Sequence, residues 1–424
     1  MMNIKDRNKN VILTKVFLIV ILIMPLTLFY SLYLNLYIRT PVPDVAWVSW
    51  YDDPQHEVYI GWETEDFEQC TVKYGTSRTE LDEIETEGTA NQFHIMNLTS
   101  LSSNTRYYYE IDYDGKIYTT GEFRTAPSIY SPFSFGLTAD TQQKIGPGWH
   151  SHVAKIFDQK NYSFIAMVGD FVEDRYKAEW NDYFKRAGRW MDTIPLVPVQ
   201  GNHDRAKDVD NDGEEEYFFG QYFPQSVDQV MNTNIYDTHQ QFYFSFNWSS
   251  VHFQILYFPE VDIDDEEELH GINPRDYNQS FTPDHLAWIE EDLANAQDFP
   301  FRVSLFHCPI TGAGFYGENF VLINELLPIL HQYNVTVTVH GHAHHFERGI
   351  LKNNIHLGND LTYFVVGTGG GLADVGLCPV PETEVCTAGP SYTEAHATED
   401  NLEFSTYTLS GELIDSYVIE SEVK

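Results

Sequence analysis

Five apolar runs in this chain, rich in β-branched and aromatic residues, each stop at an Asp, Asn or His, and that recurrence limits the fold more than any other feature. FSFGLTAD ends at Asp140, YSFIAMVGD at Asp170, IPLVPVQGNH at Asn202 and His203, FRVSLFH at His307, and VTVTVHGHAH at His342 and His344. Stretches of helical spacing lie between them: WHSHVAKIFDQK, KAEWNDYFKRAGRWMD and TPDHLAWIEEDLANAQ. The last opens on Thr282 as N-cap, with Pro283 at the first helical position and acids in the first turn. Strands alternating with helices over residues 128–424 predict an α/β domain. In such sheets ligands gather where strands end and loops begin, so five polar strand ends predict one shared site.

Upstream, residues 43–125 read as short strands of period two, including EVYIGWETE, CTVKYGTS and RYYYEIDYDGKIYTTGEFRT. Aromatic and β-branched enrichment and the hairpin signal Asp114-Gly115 predict an all-β sandwich of immunoglobulin or fibronectin type III kind over residues 41–127, with TAPSIYSP as linker. Residues 16–38 carry no charge over 23 positions, and Lys5, Arg7, Lys9 and Lys15 precede them. That is long enough to cross a hydrocarbon core of about 30 Å as a helix. The basic flank predicts residues 1–40 to be a cytoplasmic stub and transmembrane anchor, with everything after it, residues 128–424 included, extracellular. A cleaved signal peptide is the alternative, but its short apolar core and A-x-A-like site are not evident.

With 63 acidic against 25 basic residues, the formal charge of −38 repels polyanions and argues against a nucleic-acid partner. The 4 cysteines are too few for a disulfide-built scaffold. Cys378 and Cys386 bracket a loop that a disulfide closes in an oxidising exterior, whereas Cys70 and Cys308 read as buried thiols. Sequons begin at Asn97, Asn161, Asn247, Asn278 and Asn334; such short patterns also arise by chance.

Crowded imidazoles repel when protonated and cost desolvation when buried, so His340, His342, His344 and His345 in one short stretch point to a metal. On an extended backbone His342 and His344 face one side. Carboxylate, imidazole and amide donors suit borderline ions such as Zn, Mn or Fe. Asp140, Asp170, Asn202, His307, His342 and His344 are too many for one ion that keeps an open position, and two ions bridged by a carboxylate fit better.

These blocks, in this order, resemble the purple acid phosphatases of the calcineurin-like metallophosphoesterase superfamily. The resemblance runs from about residue 43 to the C-terminus, with Gly169-Asp170, Gly201-Asn202-His203-Asp204 and Gly341-His342-Ala343-His344 before Glu347-Arg348 as its most specific parts. It implies a metallophosphoesterase β-sandwich flanked by helices. It also implies two metal ions: Asp140 and His344 on the first, Asp170 bridging, and Asn202, His307 and His342 on the second. The implied reaction is phosphoester hydrolysis by a metal-bound hydroxide. His203 would be the catalytic acid or oxyanion stabiliser, or else an orienting residue held by Asp204. Two departures stand out. The family's tyrosine three residues after the bridging Asp is Glu173 here, which predicts a colourless protein. The third residue of the first block is Gln142, where other metallophosphoesterases carry His. The first ion is therefore one ligand short unless Gln142, Glu173 or Asp174 supplies it.

Other motifs carry less. Residues 208–213 imitate the first half of an EF-hand loop, making Asp208, Asp210 and Asp212 candidate calcium ligands, but the twelfth position is Phe219 and a solvated insertion is the plainer reading. Residues 261–269 form an acidic run that reads as a solvated loop. The glycines of YFVVGTGGGL read as close backbone packing rather than a phosphate loop. Arg348 is either a phosphate clamp or the partner of Glu347 or a neighbouring acid. The leading expectation is a phosphomonoesterase acting on a small-molecule substrate at the outer face of a membrane. A phosphodiesterase or nucleotidase, and a catalytically weak surface binding protein with a structural metal site, are the alternatives.

Overall fold

The computed structural model describes residues 42, 44–142, 149–206, 216–224, 242–257, 280–312, 317–352, 360–371 and 381–421. The expected membrane span (16–38), the EF-hand-like segment (208–213), the acidic run (261–269), Asn278 and Cys378 lie outside the described residues. Among the described residues no helix is long and apolar enough to cross a membrane.

The alternating segments near the N-terminus form β1 (Ala46–Ser49), β2 (Val58–Glu68), β3 (Cys70–Gly75), β4 (Glu83–Thr86), β5 (Asn91–Leu98), β6 (Arg106–Tyr113) and β7 (Lys116–Arg124). They pair antiparallel into two sheets, ordered β1-β2-β5 and β4-β3-β6-β7. Trp62, Val72, Leu98, Ile111 and Phe123 fill the space between the sheets. The hairpin from β6 to β7 turns at Asp114 and Gly115, both with positive φ (50° and 73°), as the two-residue turn that matches strand twist requires.

The larger unit comprises β8 (Phe133–Thr138), β9 (Ile165–Val168), β10 (Leu196–Val199), β11 (Phe244–Trp248), β12 (Val251–Ile255), β13 (Phe301–Leu305), β14 (Val337–His340), β15 (Phe346–Leu351), β16 (Leu361–Val366), β17 (Thr383–Thr387), β18 (Ser391–Ala397), β19 (Asn401–Thr408) and β20 (Leu413–Glu420). One sheet runs β10-β9-β8-β18-β19-β20 and the other β11-β12-β13-β14-β16-β15-β17. Strands β8, β9 and β10 are parallel, as are β12, β13, β14 and β16. β9 and β14 are buried at every position, which is why they read as unbroken apolar runs.

The two sheets face each other across an aromatic core in which Phe135 meets Phe253 at 5.3 Å and Phe364 meets Phe404 at 4.5 Å. β16 shows the layering: Phe364 and Val366 join this core, while Leu361, Tyr363 and Val365 pack with Ile289 and Leu293 of the helix Pro283–Asn295. That helix starts as its sequence requires, with Thr282 Oγ1 accepting the His285 N–H at 3.2 Å.

The N-terminal sandwich docks on this unit through Trp47, whose ring stacks on Phe184 at 4.7 Å and whose Nε1 donates to the Tyr222 carbonyl at 3.0 Å. Lys177 reaches across to Glu63 and also donates to Asn181 Oδ1 at 2.9 Å and to the Tyr222 hydroxyl at 2.5 Å. Cys70 and Cys308 are buried thiols outside any disulfide, and Cys386 is disulfide-bonded.

Candidate metal centre

The parallel strands of both sheets end at one place. Asp140, Asp170, His307 and His342 each sit two residues beyond β8, β9, β13 and β14, and Asn202 follows β10 by three. Asp140, Asp170 and His342 all adopt left-handed backbone, with φ of 55°, 57° and 66°. Asp and His tolerate this conformation better than bulky residues, and it turns each chain end sharply toward the neighbouring strand. Close approach then demands glycine at two positions. A Cβ on Gly201 would stand 2.1 Å from Asp170 Oδ1, and one on Gly341 would stand 2.6 Å from Asp140 Oδ2.

Side-chain donor atoms form an unbroken series. Asp140 Oδ1 lies 3.4 Å from His344 Nε2, which lies 3.2 Å from Gln142 Nε2, which lies 3.2 Å from Asp170 Oδ2. Asp170 Oδ2 is in turn 3.1 Å from His307 Nε2, itself 3.2 Å from Asn202 Oδ1, and His342 Nδ1 is 3.1 Å from that same oxygen. Neighbouring ligands on one ion at about 2.1 Å are separated by roughly 3 Å, so these spacings are those of a ligand shell. Asp170, His307 and His342 are all buried and offer ligand atoms within 4.8 Å of one another.

The chemistry of His307 tests the fit. Its Nδ1 faces the Val168 carbonyl at 2.8 Å, and a carbonyl only accepts, so Nδ1 carries the proton. In the neutral ring Nε2 then presents a lone pair to two oxygens, a carboxylate and an amide, both acceptors. A metal cation among the three resolves this opposition, as does a second ring proton in its absence, and the Val168 contact leaves Nε2 as the nitrogen a metal-binding imidazole requires. The residues fit a metal.

Second contacts hold the loops. Both Asp140 oxygens accept the His342 N–H at 2.9 Å. Asp204 accepts from the amides of Asp170 (2.8 Å), Gly201 (2.8 Å) and Phe171 (2.9 Å). Burial would raise the Asp170 pKa, but the His307 and His203 imidazoles outweigh it and hold that carboxyl below its ordinary range. Burial and the Asp170 charge push Asp204 up to about 7, against the pull of its amide donors. Those donors leave the carboxylate surrounded by N–H groups, which favours its ionised form.

His203 is half-buried. Its Nδ1 donates to the Glu173 carbonyl at 2.6 Å and its backbone N–H donates to Asp170 Oδ1 at 2.9 Å. Burial works against its protonation, yet the Asp170 charge and the Glu173 carbonyl raise its pKa above the ordinary value. The alternative reading in which Asp204 holds His203 is not met among the described contacts, where Asp204 is occupied by three backbone amides.

Other expectations change as well. His342 and His344 do not alternate along an extended strand. β14 ends at His340, His342 is left-handed, and the two rings meet different partners, Asn202 and Asp140. The histidine cluster divides: His340 is a core residue between the Phe306 carbonyl (3.1 Å) and Thr338 Oγ1 (2.9 Å), and His345 bonds Glu347 at 2.9 Å. Among the described contacts Glu173 reaches the site through its carbonyl rather than its carboxylate. Of the three readings of Arg348, the one that pairs it with neighbouring acids holds, rather than a phosphate clamp or a pair with Glu347. Arg348 binds Asp415 at 2.7 Å and Glu384, and lies 4.2 Å over the Tyr417 ring. The glycine run packs as backbone, with Gly369 donating to the Ala139 carbonyl at 2.9 Å and Gly371 to that of Asp140 at 2.7 Å. Sequence reasoning missed Arg175, buried and left-handed (φ 70°), whose Nη2 donates to the Asn202 carbonyl at 2.9 Å.

A family model described as calcineurin-like phosphoesterase matches residues 133–346, just over half of the chain. Purple acid phosphatase 15 of Arabidopsis thaliana is 24% identical over 405 residues, spanning 80% of this chain and 70% of its own. The uncharacterized protein Rv2577 of Mycobacterium tuberculosis is 26% identical over 287 residues, spanning 62% of this chain and 51% of its own. The solved structure of purple acid phosphatase PPD1 from yellow lupin superimposes with a TM-score of 0.68 at 16% identity, covering 88% of this chain and 74% of that one. At that identity the superposition speaks for the fold.

Proposed function

The chain belongs to the calcineurin-like phosphoesterase family, as a purple acid phosphatase-like metal-dependent phosphatase, and from that premise we propose that it hydrolyses phosphomonoesters at two metal ions. Asp140 and His344 would hold the first, Asn202, His307 and His342 the second, and Asp170 both. The carrying observation is the convergence of His307 Nε2 on the Asp170 and Asn202 oxygens at 3.1 and 3.2 Å, with Nδ1 fixed on the Val168 carbonyl. When bound, the ions activate water and neutralise the phosphoryl oxygens.

The chain's own groups do the rest. Asp170 is fixed from two sides: Asp204 holds its amide, and its Oδ1 accepts the His203 N–H. His203, with Nδ1 on the Glu173 carbonyl, keeps Nε2 for the leaving alkoxide, the position of a proton donor. Hydrolysis of a generic aryl phosphate with Mn²⁺, Zn²⁺ or Fe²⁺ tests this. Folded protein inactive with every ion contradicts it.

The same reading takes residues 41–127 as a fibronectin type III-like support, 128–424 as the catalytic domain and 1–40 as a membrane anchor, with the catalytic domain outside. The disulfide at Cys386 is in keeping with an oxidising exterior. External protease on intact cells checks the orientation: a catalytic domain left uncut while lysed cells lose it would overturn the outward placement.

A further inference from the structure

Gln142 lies at the first of the two ion positions, where the residues of this chain depart from the pattern they otherwise resemble. It is 2% exposed. Its Nε2 stands 3.2 Å from Asp170 Oδ2 and 3.2 Å from His344 Nε2, while its Oε1 is buried with no hydrogen-bond partner. An orphaned amide oxygen in a closed interior is destabilising, so the site gains from whatever pairs it. The terminal torsion of glutamine is broad and two-fold, so a half-turn that exchanges Oε1 and Nε2 costs little in itself.

That half-turn puts the oxygen where the nitrogen stands, 3.2 Å from a carboxylate oxygen and from an imidazole nitrogen. Without a cation this orientation is repulsive, because it sets the amide oxygen against the Asp170 carboxylate oxygen, two acceptors. With a cation among them it is favoured, and the nitrogen-inward orientation becomes the repulsive one. The amide is thus a two-position element whose setting the ion decides.

Resting on the two-ion reading above, we infer that the Gln142 amide oxygen is a ligand of the first ion, completing a set with Asp140, Asp170 and His344. That set has three oxygen donors to one nitrogen. The second position, with Asp170, Asn202, His307 and His342, has two of each. Oxygen-rich, neutral-amide ligation tilts the first position toward Mn²⁺ or Fe²⁺ relative to the more nitrogen-rich second position. Gln142 therefore takes the place of the absent ligand without adding charge.

Calorimetric titration of metal-free protein with Mn²⁺, with Mn²⁺ electron paramagnetic resonance as a second readout, tests this. Wild type takes two ions per chain. Gln142→Leu, close in volume, loses roughly tenfold or more in affinity for one ion and keeps the other unchanged. Gln142→His restores tight binding of both and shifts the weakened position toward Zn²⁺. Near-ultraviolet circular dichroism of each metal-free variant establishes that the core is intact. If Gln142→Leu binds both ions as wild type does, the inference is overturned while the two-ion reading stands. If wild type itself binds fewer than two, both fall. Should Gln142→Leu fold poorly, Gln142→Met is the replacement, and unchanged Mn²⁺ affinity at both positions overturns the inference in the same way.

Discussion

Asp204 Oδ2 accepts the Asp170 N–H at 2.8 Å and the Gly201 N–H at 2.8 Å, tying together two strand ends that carry candidate ligands. Its Oδ1 takes the Phe171 N–H at 2.9 Å. An amide in place of this carboxylate sets an NH₂ group against a backbone N–H and forfeits a charge-assisted bond. Asp204→Asn is therefore expected to destabilise the fold by roughly 1–3 kcal/mol. Denaturant unfolding measures this, and metal affinity should fall with it because the Asp170 loop loosens.

Metal removal should also be legible in stability. Without a metal ion His307 Nε2 meets the Asp170 and Asn202 oxygens at 3.1 and 3.2 Å favourably only by taking a second ring proton. Ions that bind only the folded chain stabilise it by about 2.7 kcal/mol per site at a hundredfold excess over Kd. Dialysis against a chelator should lower the melting temperature, and Mn²⁺ should restore it in a concentration-dependent way. A melting temperature indifferent to both treatments contradicts this expectation.

Acid should weaken the fold through buried histidines that are not among the candidate metal ligands. Burial pushes His285 down to about 4, with its ring stacked 4.2 Å from that of Tyr243, and pushes His150 down to about 3. Both are neutral in the folded chain near pH 6, whereas the unfolded chain protonates them near the ordinary value of about 6.5. The unfolded state thus binds more protons between about 6.5 and those lowered values, and stability falls as pH drops through that window, by up to about 1.4 kcal/mol per pH unit per group. His285→Phe keeps the aromatic stack and should flatten the slope of unfolding free energy against pH between about 4 and 6.5.

The junction between the two units rests on a charge pair that is only partly closed to solvent. Lys177 bonds Glu63 and the Tyr222 hydroxyl, and burial lowers its pKa while Glu63 raises it. With the Lys177 side chain 32% exposed, Lys177→Met should cost roughly 1–2 kcal/mol rather than the larger penalty of a fully buried pair. Lys177→Met with Glu63→Leu should recover much of that loss. Aryl phosphate turnover per folded molecule should not change.

The sequence made the strand ends legible because burial on both faces turns parallel strands such as β9 and β14 into plain apolar runs. The Thr282 cap and the Asp114-Gly115 turn were readable for an equally local reason. β4 was not, since EIET is exposed at every position and its composition is that of a charged edge. Neither was the pairing of β18 with β8, where Thr393 meets Leu137 across a separation that no local pattern encodes. In the candidate site, residue types marked Asp140, Asp170, Asn202 and His307. The partners of His342 and His344 depended on the left-handed turn at His342, which spacing along an extended chain does not foresee. The orphaned Gln142 oxygen is a property of packing alone.

Anomalous diffraction from crystals grown with Mn²⁺ tests the central claim most directly. The account predicts two anomalous peaks, one bounded by Asp140, Gln142 and His344 and one by Asn202, His307 and His342, with Asp170 reaching both. A single peak, or ions bound only elsewhere on this acidic surface, would contradict it.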